Sequence, residues 1–350
     1  MDNQFNFNVE NVSINEPQII IGEKCPFGER IPYGFSPETF EEKKQVKRVA
    51  KIIGGALLIM LGISGVIGGF LGIVLGLFGK VGTQLLTDSA FLQVLQIVLS
   101  SLMFTVPFIL IFRASKYRIS SLILFKRPKK KDIIPYTLLG VAFCAFSNIT
   151  VSLMGDFLSS FGVEYEVNTG ENPTGIFGFM LTFIATAIVP PLVEEFACRG
   201  LILGALRKFG DGFAVFVSAL LFGIMHGNFV QIPFAFLVGL VLGLVTVKTN
   251  SIWLAVVIHA INNAVSVILD YAFVGISVET QNVIYTAYLI ISLLLGLVAT
   301  YLLRGRKRAY TFKKDNVVSD KRALYKFSFL SPMIIIFIII CLAESMMFFI

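Results

Sequence analysis

The chain alternates long apolar runs with short polar breaks. Apolar segments fall near 52–78, 90–112, 134–154, 175–207, 212–230, 233–247, 252–269, 281–303 and 327–349. Several reach the roughly 20 residues that an α-helix needs to cross a ~30 Å hydrocarbon core. Membrane-spanning strands would read instead as ~10-residue segments of alternating hydrophobicity, and backbone inside a bilayer must be satisfied by helices or closed barrels. The pattern therefore predicts an all-α, polytopic transmembrane helix bundle of about nine helices.

The breaks differ in charge. Segment 113–133 carries eight Lys/Arg against one acid and 304–326 nine against two, whereas 155–174 has four acids and 270–280 two, neither with any Lys or Arg. Basic loops belong in the cytoplasm. Lys43, Lys44, Lys47, Arg48 and Lys51 precede the first apolar run, so a cytoplasmic N-terminus and nine crossings place every basic loop on one side. Ser36-Pro37 and the charged stretch to Lys51 read equally as an N-capped amphipathic helix or as a solvated juxtamembrane arm. The polar start, Met1 to about Phe35, lacks the basic and short apolar regions of a signal peptide, so insertion is expected to use an internal helix. Gly65/Gly69 and Gly68/Gly72/Gly76 have the small-xxx-small spacing of close helix packing.

Composition sharpens this reading. The 350 residues are 56% hydrophobic, with 34 Phe and only 15% charged, against about 25% charged in soluble domains; the mean hydropathy is +0.82. A net charge of +7 raises nucleic acid as a partner, but the basic residues sit in clusters flanking apolar segments, where they orient helices, and nucleic acid is discounted. Cys25, Cys144, Cys198 and Cys341 lack paired spacing and predict neither a disulfide framework nor a thiolate zinc site.

Ionisable groups inside a bilayer are costly and are candidates for function. Here they concentrate in one part of the chain. Glu194-Glu195 follow Pro190-Pro191 within 175–207; Glu195 and Arg199, spaced i, i+4, share a helical face and can pair, while Glu194 points about 100° away and stays free. The chain has only two histidines, in Phe222-x-x-x-His226 and His259-x-x-x-Asn263. Counted from the loop 208–211, Glu194 and His226 both lie on the order of 20 Å deep at ~1.5 Å per residue, and His259 and Asn263 about 12 to 18 Å from the loop 248–251 on the same side. Polar side chains from three helices are expected to meet at one level.

Glu-Glu-x-x-x-Arg, Phe-x-x-x-His and His-x-x-x-Asn, in that order on successive helices, resemble the motifs of the CAAX protease and bacteriocin-processing family of intramembrane proteases, also called the type II CAAX prenyl endopeptidase or Abi family. The resemblance covers roughly 175–270. It implies a cytoplasmic arm and juxtamembrane helix (1–50), N-terminal transmembrane helices (51–174), a catalytic core (175–270) and C-terminal transmembrane helices (271–350). It implies Glu194 as the general base that activates a water, Glu195 and Arg199 as its brace, and His226, His259 and Asn263 completing the site. A carboxylate in a low-dielectric cavity suits a base that takes a proton from water and returns it to a leaving amine, and imidazole or amide donors suit the tetrahedral oxyanion.

A second version places a divalent metal such as zinc on Glu194, His226 and His259; the His-Glu-x-x-His motif is absent, and the family has been described in both metal-dependent and glutamate-dependent terms. Cys198 does not share a face with both Glu195 and Arg199, and no His lies on its helix, so thiol catalysis is disfavoured. The implied substrate is a hydrophobic, prenylated or membrane-associated peptide or protein, met within the lipid bilayer. A transporter would repeat its polar groups in the other half, and no repeat is found. The stronger alternative is a non-catalytic scaffold or bacteriocin immunity protein of the same fold. The residue usage suggests a bacterial plasma membrane, and oligomeric state is left open.

Overall fold

A computed structural model describes residues 37–163, 172–306, 309–312 and 321–347. The readings of Cys25, of Ser36 as a cap and of the middle of the acidic loop fall outside the described residues. Among the described residues the fold is all-helical, with one isolated β-pairing between Phe125 and Ser251. Among the described residues seven helices are long and apolar enough to cross a membrane, and two shorter apolar ones bring the set into one-to-one match with the nine expected segments.

The first antiparallel pair is α1 (Pro37–Leu77) and α3 (Ser89–Ala114), joined by the short α2 (Lys80–Thr87). Asp88 starts α3 by accepting from Phe91 N–H at 2.7 Å, filling one of the donors a helix start leaves open. A single turn, α4 (Ile119–Leu122), precedes α5 (Lys130–Ser147), which α6 (Ile149–Ser159) continues past a break at Asn148. The rod Gly175–Phe209 comprises α7 (Gly175–Phe183), a π-helical stretch Ile184–Ile188, α8 (Val189–Glu195), a second π-helical stretch Phe196–Ile202 and α9 (Leu203–Leu206). There follow α10 (Asp211–Ile224), α11 (Gln231–Thr249), α12 (Ile252–Ala272), α13 (Val278–Leu303), α14 (Lys321–Phe329) and α15 (Pro332–Met346).

Two boundaries depart from the apolar pattern. The expected span 212–230 stops at Ile224, because Gly227 adopts φ +58° and Asn228 Oδ1 accepts from the N–H groups of Val230 (3.0 Å) and Gln231 (3.1 Å) to cap α11. The expected span 327–349 is divided at Ser331, where Pro332 opens α15, a position at which its missing N–H costs nothing. At 1.5 Å per residue α10 and α15 are only about 21–23 Å long, shorter than the ~30 Å of a hydrocarbon core.

The basic breaks lie together, as the charge pattern requires of one topology. Arg306 pairs with Asp132 at 2.6 Å and donates to Lys131 O at 3.0 Å; Lys248 reaches Thr311 O; Lys208 Nζ donates to Gln45 Oε1 at 3.2 Å, and Arg48 to Ser115 O at 3.4 Å. The chain is a multi-pass membrane protein with one basic face.

The glycines singled out on α1 are not where helices pack closely. Among the described residues nothing lies within 4 Å of a Cβ added at Gly65, Gly68, Gly69, Gly72 or Gly76, whereas one at Gly54, earlier on α1, would sit 2.7 Å from Met333 Cβ of α15. Small residues also bring together the α10–α11 hairpin: a Cβ at Gly239 would sit 2.9 Å from Ala219 Cα, and one at Gly243 3.0 Å from Val215 Cγ1. Cys144, Cys198 and Cys341 are buried free thiols.

Candidate active site

Pro190 and Pro191 break the rod that carries the two adjacent acids. Proline has no N–H, so the carbonyls that would have bonded to it, Thr186 in α-helical register and Ala185 in the π register seen here, need other donors. Asn263 Nδ2 of α12 donates to Thr186 O at 3.0 Å, and Gln96 Nε2 of α3 to Ala185 O at 3.3 Å. The second π stretch is held by a similar device, Ser218 Oγ donating to Cys198 O at 2.9 Å. The kinked rod is therefore stitched to α3, α10 and α12, and it presents Glu194 and Glu195 from a fixed helix end.

The two acids receive different environments. Glu195 is fully buried, and its Oε1 accepts from Arg199 Nη1 at 2.7 Å and from His259 Nδ1 at 3.0 Å. Arg199, also fully buried, donates from Nη2 to Gly239 O at 3.2 Å and lays its guanidinium 4.3 Å over the Phe222 ring. Glu195 Oε2 and Arg199 Nε have no hydrogen-bond partner. Glu194 keeps a 15% exposed side chain, its Oε2 3.9 Å from His259 Nε2. That gap is too long for a direct hydrogen bond and suits a bridging water. The expected pairing of Glu195 with Arg199, and the freedom of Glu194, are both present.

Because Glu195 Oε1 is an acceptor, His259 carries its proton on Nδ1, which directs Nε2 towards Glu194. His226 is fixed by its own turn, Nδ1–H donating to Phe222 O at 2.7 Å and leaving Nε2 unused. It joins the group through an aromatic ring: Phe222 stands edge-to-face to His226 at 5.0 Å and to His259 at 5.8 Å between ring centres. Asn263 has one N–H on Thr186 O, and its Oδ1 accepts from Asn262 Nδ2 at 3.2 Å.

The arrangement bears on the metal version. Among the described residues no three His, Cys, Asp or Glu side chains are grouped as a metal ion requires. Glu195 Oε1 and Phe222 O each hold one imidazole by its Nδ1 and leave both Nε2 atoms free, the orientation that metal-ligating histidines share. Glu194, His226 and His259 are the residues that would hold a metal, which would there lower the pKa of a bound water, although the three are not drawn together into a closed ligand set.

Several contributors were not singled out in the sequence. Phe222 was noticed only as part of a motif, whereas it packs on Arg199 and on both histidines. Gln96, Gly239 and Thr186 act through contacts whose partners lie 89, 40 and 77 positions away. Glu344, near the end of α15, comes within 3.2 Å of a Cβ built on Gly227, beside His226. An acid within an otherwise apolar terminal run was the available signal for it.

Residues 176–265 match the family model described as type II CAAX prenyl endopeptidase, Rce1-like, so the resemblance expected from the three motifs is found where the motifs lie. The membrane-embedded CAAX protease MroQ of Staphylococcus aureus (strain USA300) is 29% identical over 174 residues, covering 47% of this chain and 70% of the relative. The putative membrane peptidase YdiL of Bacillus subtilis (strain 168) is 30% identical over 103 residues, 29% of this chain and 42% of that one. No solved structure matched the chain.

Proposed function

We propose that a chain with this match over 176–265 and this buried constellation is an intramembrane endopeptidase that cleaves a hydrophobic, prenylated or membrane-associated peptide by attack of a glutamate-activated water. The observation that carries the reading is the unequal pair of acids. Glu195 is neutralised and locked by Arg199 and His259, while its neighbour Glu194 keeps a partly exposed carboxylate 3.9 Å from an imidazole nitrogen, where a water beside the two can bond both.

In this mechanism Glu194 takes a proton from the water held between it and His259 Nε2. The water oxygen attacks the scissile carbonyl carbon, and the carbonyl oxygen becomes an oxyanion. The second N–H of Asn263, not used by Thr186, is the neutral donor assigned to that oxyanion, a contribution of about 3–4 kcal/mol for one such donor. Glu194 then delivers the proton to the amide nitrogen as the C–N bond breaks, so no proton is left over. Arg199 and Glu195 are positioning residues that set the tautomer and the angle of His259.

The basic face is assigned to the cytoplasm and the N-terminus with it. The site, level with the end of α10, then opens towards peptides presented from that side, and the bacterial organisms of the two relatives favour the plasma membrane of a bacterium. The test compares newly formed peptide termini, by terminus-selective mass spectrometry, in membranes with the wild-type chain, with Glu194→Gln, and with no copy. Defined termini that require wild type are expected. Termini fully restored by Glu194→Gln would return the chain to a scaffold or immunity role.

A further inference from the structure

On the basic face, away from the acid–imidazole group, the first two turns of α5 and α12 enclose an apolar groove of about 430 Å³. Its walls include Ile134, Thr137, Leu138, Trp253 and Val257, and Pro128 closes one end. Ile134, Trp253 and Val257 are exposed along it. Thr137 brings the one hydroxyl among these lining side chains. A groove of this chemistry at the start of two membrane helices faces acyl chains.

Its mouth has the opposite chemistry. Lys126, Arg127, Lys129, Lys130 and Lys131 are all exposed and run from the loop into the first turn of α5. The one acid among them, Asp132, is already taken by Arg306 at 2.6 Å. The cationic segment is also fastened to the groove: Ile252 N–H donates to Leu124 O at 2.9 Å, Phe125 pairs with Ser251, and the Phe125 and Trp253 rings lie 6.4 Å apart. α5 and α12 both begin here without a side-chain cap, adding the positive ends of two helix dipoles.

We propose that this is a binding site for one anionic phospholipid of the leaflet on the basic side, an acyl chain lying in the α5–α12 groove and the headgroup phosphate on the Lys126–Lys131 segment. Acyl chain alone would be satisfied by any lipid or by an isoprenyl tail. The concentration of unopposed cations at the mouth selects a negative headgroup.

Trp253 is the chain's single tryptophan, so its fluorescence reports the groove without labelling. The full chain would be placed in nanodiscs doped with chain-brominated phosphatidylglycerol or brominated phosphatidylcholine. Half-maximal quenching is expected at about fivefold less brominated phosphatidylglycerol, the factor one engaged cation supplies, with the preference shrinking as salt rises. The fivefold variant Lys126→Gln, Arg127→Gln, Lys129→Gln, Lys130→Gln and Lys131→Gln should quench equally with both lipids, and Thr137→Phe, which fills the groove from its wall, should weaken quenching by both. Near-ultraviolet circular dichroism confirms that each variant is folded. Equal quenching of the wild type by the two lipids would reduce the groove to ordinary lipid contact and overturn the proposal. So would a headgroup preference that survives the charge removal, or displacement of both lipids alike by a farnesylated peptide.

Discussion

At the scale of single residues, the site depends on side chains that replace backbone donors. Asn263 was expected from its motif to complete the chemistry; its position adds a second duty, covering the Thr186 carbonyl that Pro190 cannot reach. The two duties separate by substitution. Asn263→Asp removes both N–H groups and keeps the size, so it should leave a carboxylate facing a carbonyl, lose about 1–3 kcal/mol of stability and abolish turnover. Asn263→Gln keeps the donors at a greater reach, and thermal unfolding in detergent alongside peptide cleavage would show stability partly retained while turnover falls. Arg199→Met leaves Glu195 buried without its cation, a loss of about 3–5 kcal/mol. The double change Arg199→Met with Glu195→Leu should recover much of that stability and none of the activity, since His259 then has no Nδ1 acceptor.

At the scale of elements, the sequence disclosed which helices exist and which of their faces are polar, because apolar length and i, i+4 spacing are local properties. The pairing of Glu195 with Arg199 was legible for that reason. The π-helical stretches, the stop at Ile224 and the choice of packing face were not. The first and last depend on what a neighbouring helix offers, an amide at Asn263 or the surface of Ala219 against Gly239, and the stop at Ile224 on a local cap at Asn228 that apolar length does not register. The glycine spacing on α1 is as regular as that on α11, yet only the latter meets a partner within the chain. Gly239→Leu should therefore be far more harmful than Gly68→Leu. The first forces α11 from α10, costs about 1–3 kcal/mol and pulls the Gly239 carbonyl from Arg199; the second should leave the melting temperature in detergent unchanged.

For the whole molecule, charge decides orientation and the polar core decides depth. Single-cysteine variants at Lys126 and Lys208 should react with a membrane-impermeant maleimide only after the cytoplasmic side is opened, whereas one at Asp156 should react in intact cells. Labelling of all three from the same side would refute the nine-crossing topology. The carboxylate–imidazole geometry also fixes an expectation for chelators. Dialysis against 1,10-phenanthroline should leave cleavage intact. Loss of cleavage with recovery on adding zinc would instead put a metal on the free Nε2 atoms of His226 and His259 together with Glu194.

The buried ion pair has a further consequence, for biosynthesis. Glu195 and Arg199 are four residues apart, so their charges can neutralise one another as soon as that helix forms. The other partners of the cluster come later in synthesis: Gly239 lies 40 residues beyond Arg199, His259 lies 64 beyond Glu195, and Asn263 lies 77 beyond Thr186. A nascent chain ending before Gly239 can enter the bilayer with a compensated pair, yet it still holds an open carbonyl and an unmatched Glu194. Quality control that recognises exposed polarity in the membrane would have a substrate until α12 arrives, and the last helix to dock on the acids would also release the chain as finished.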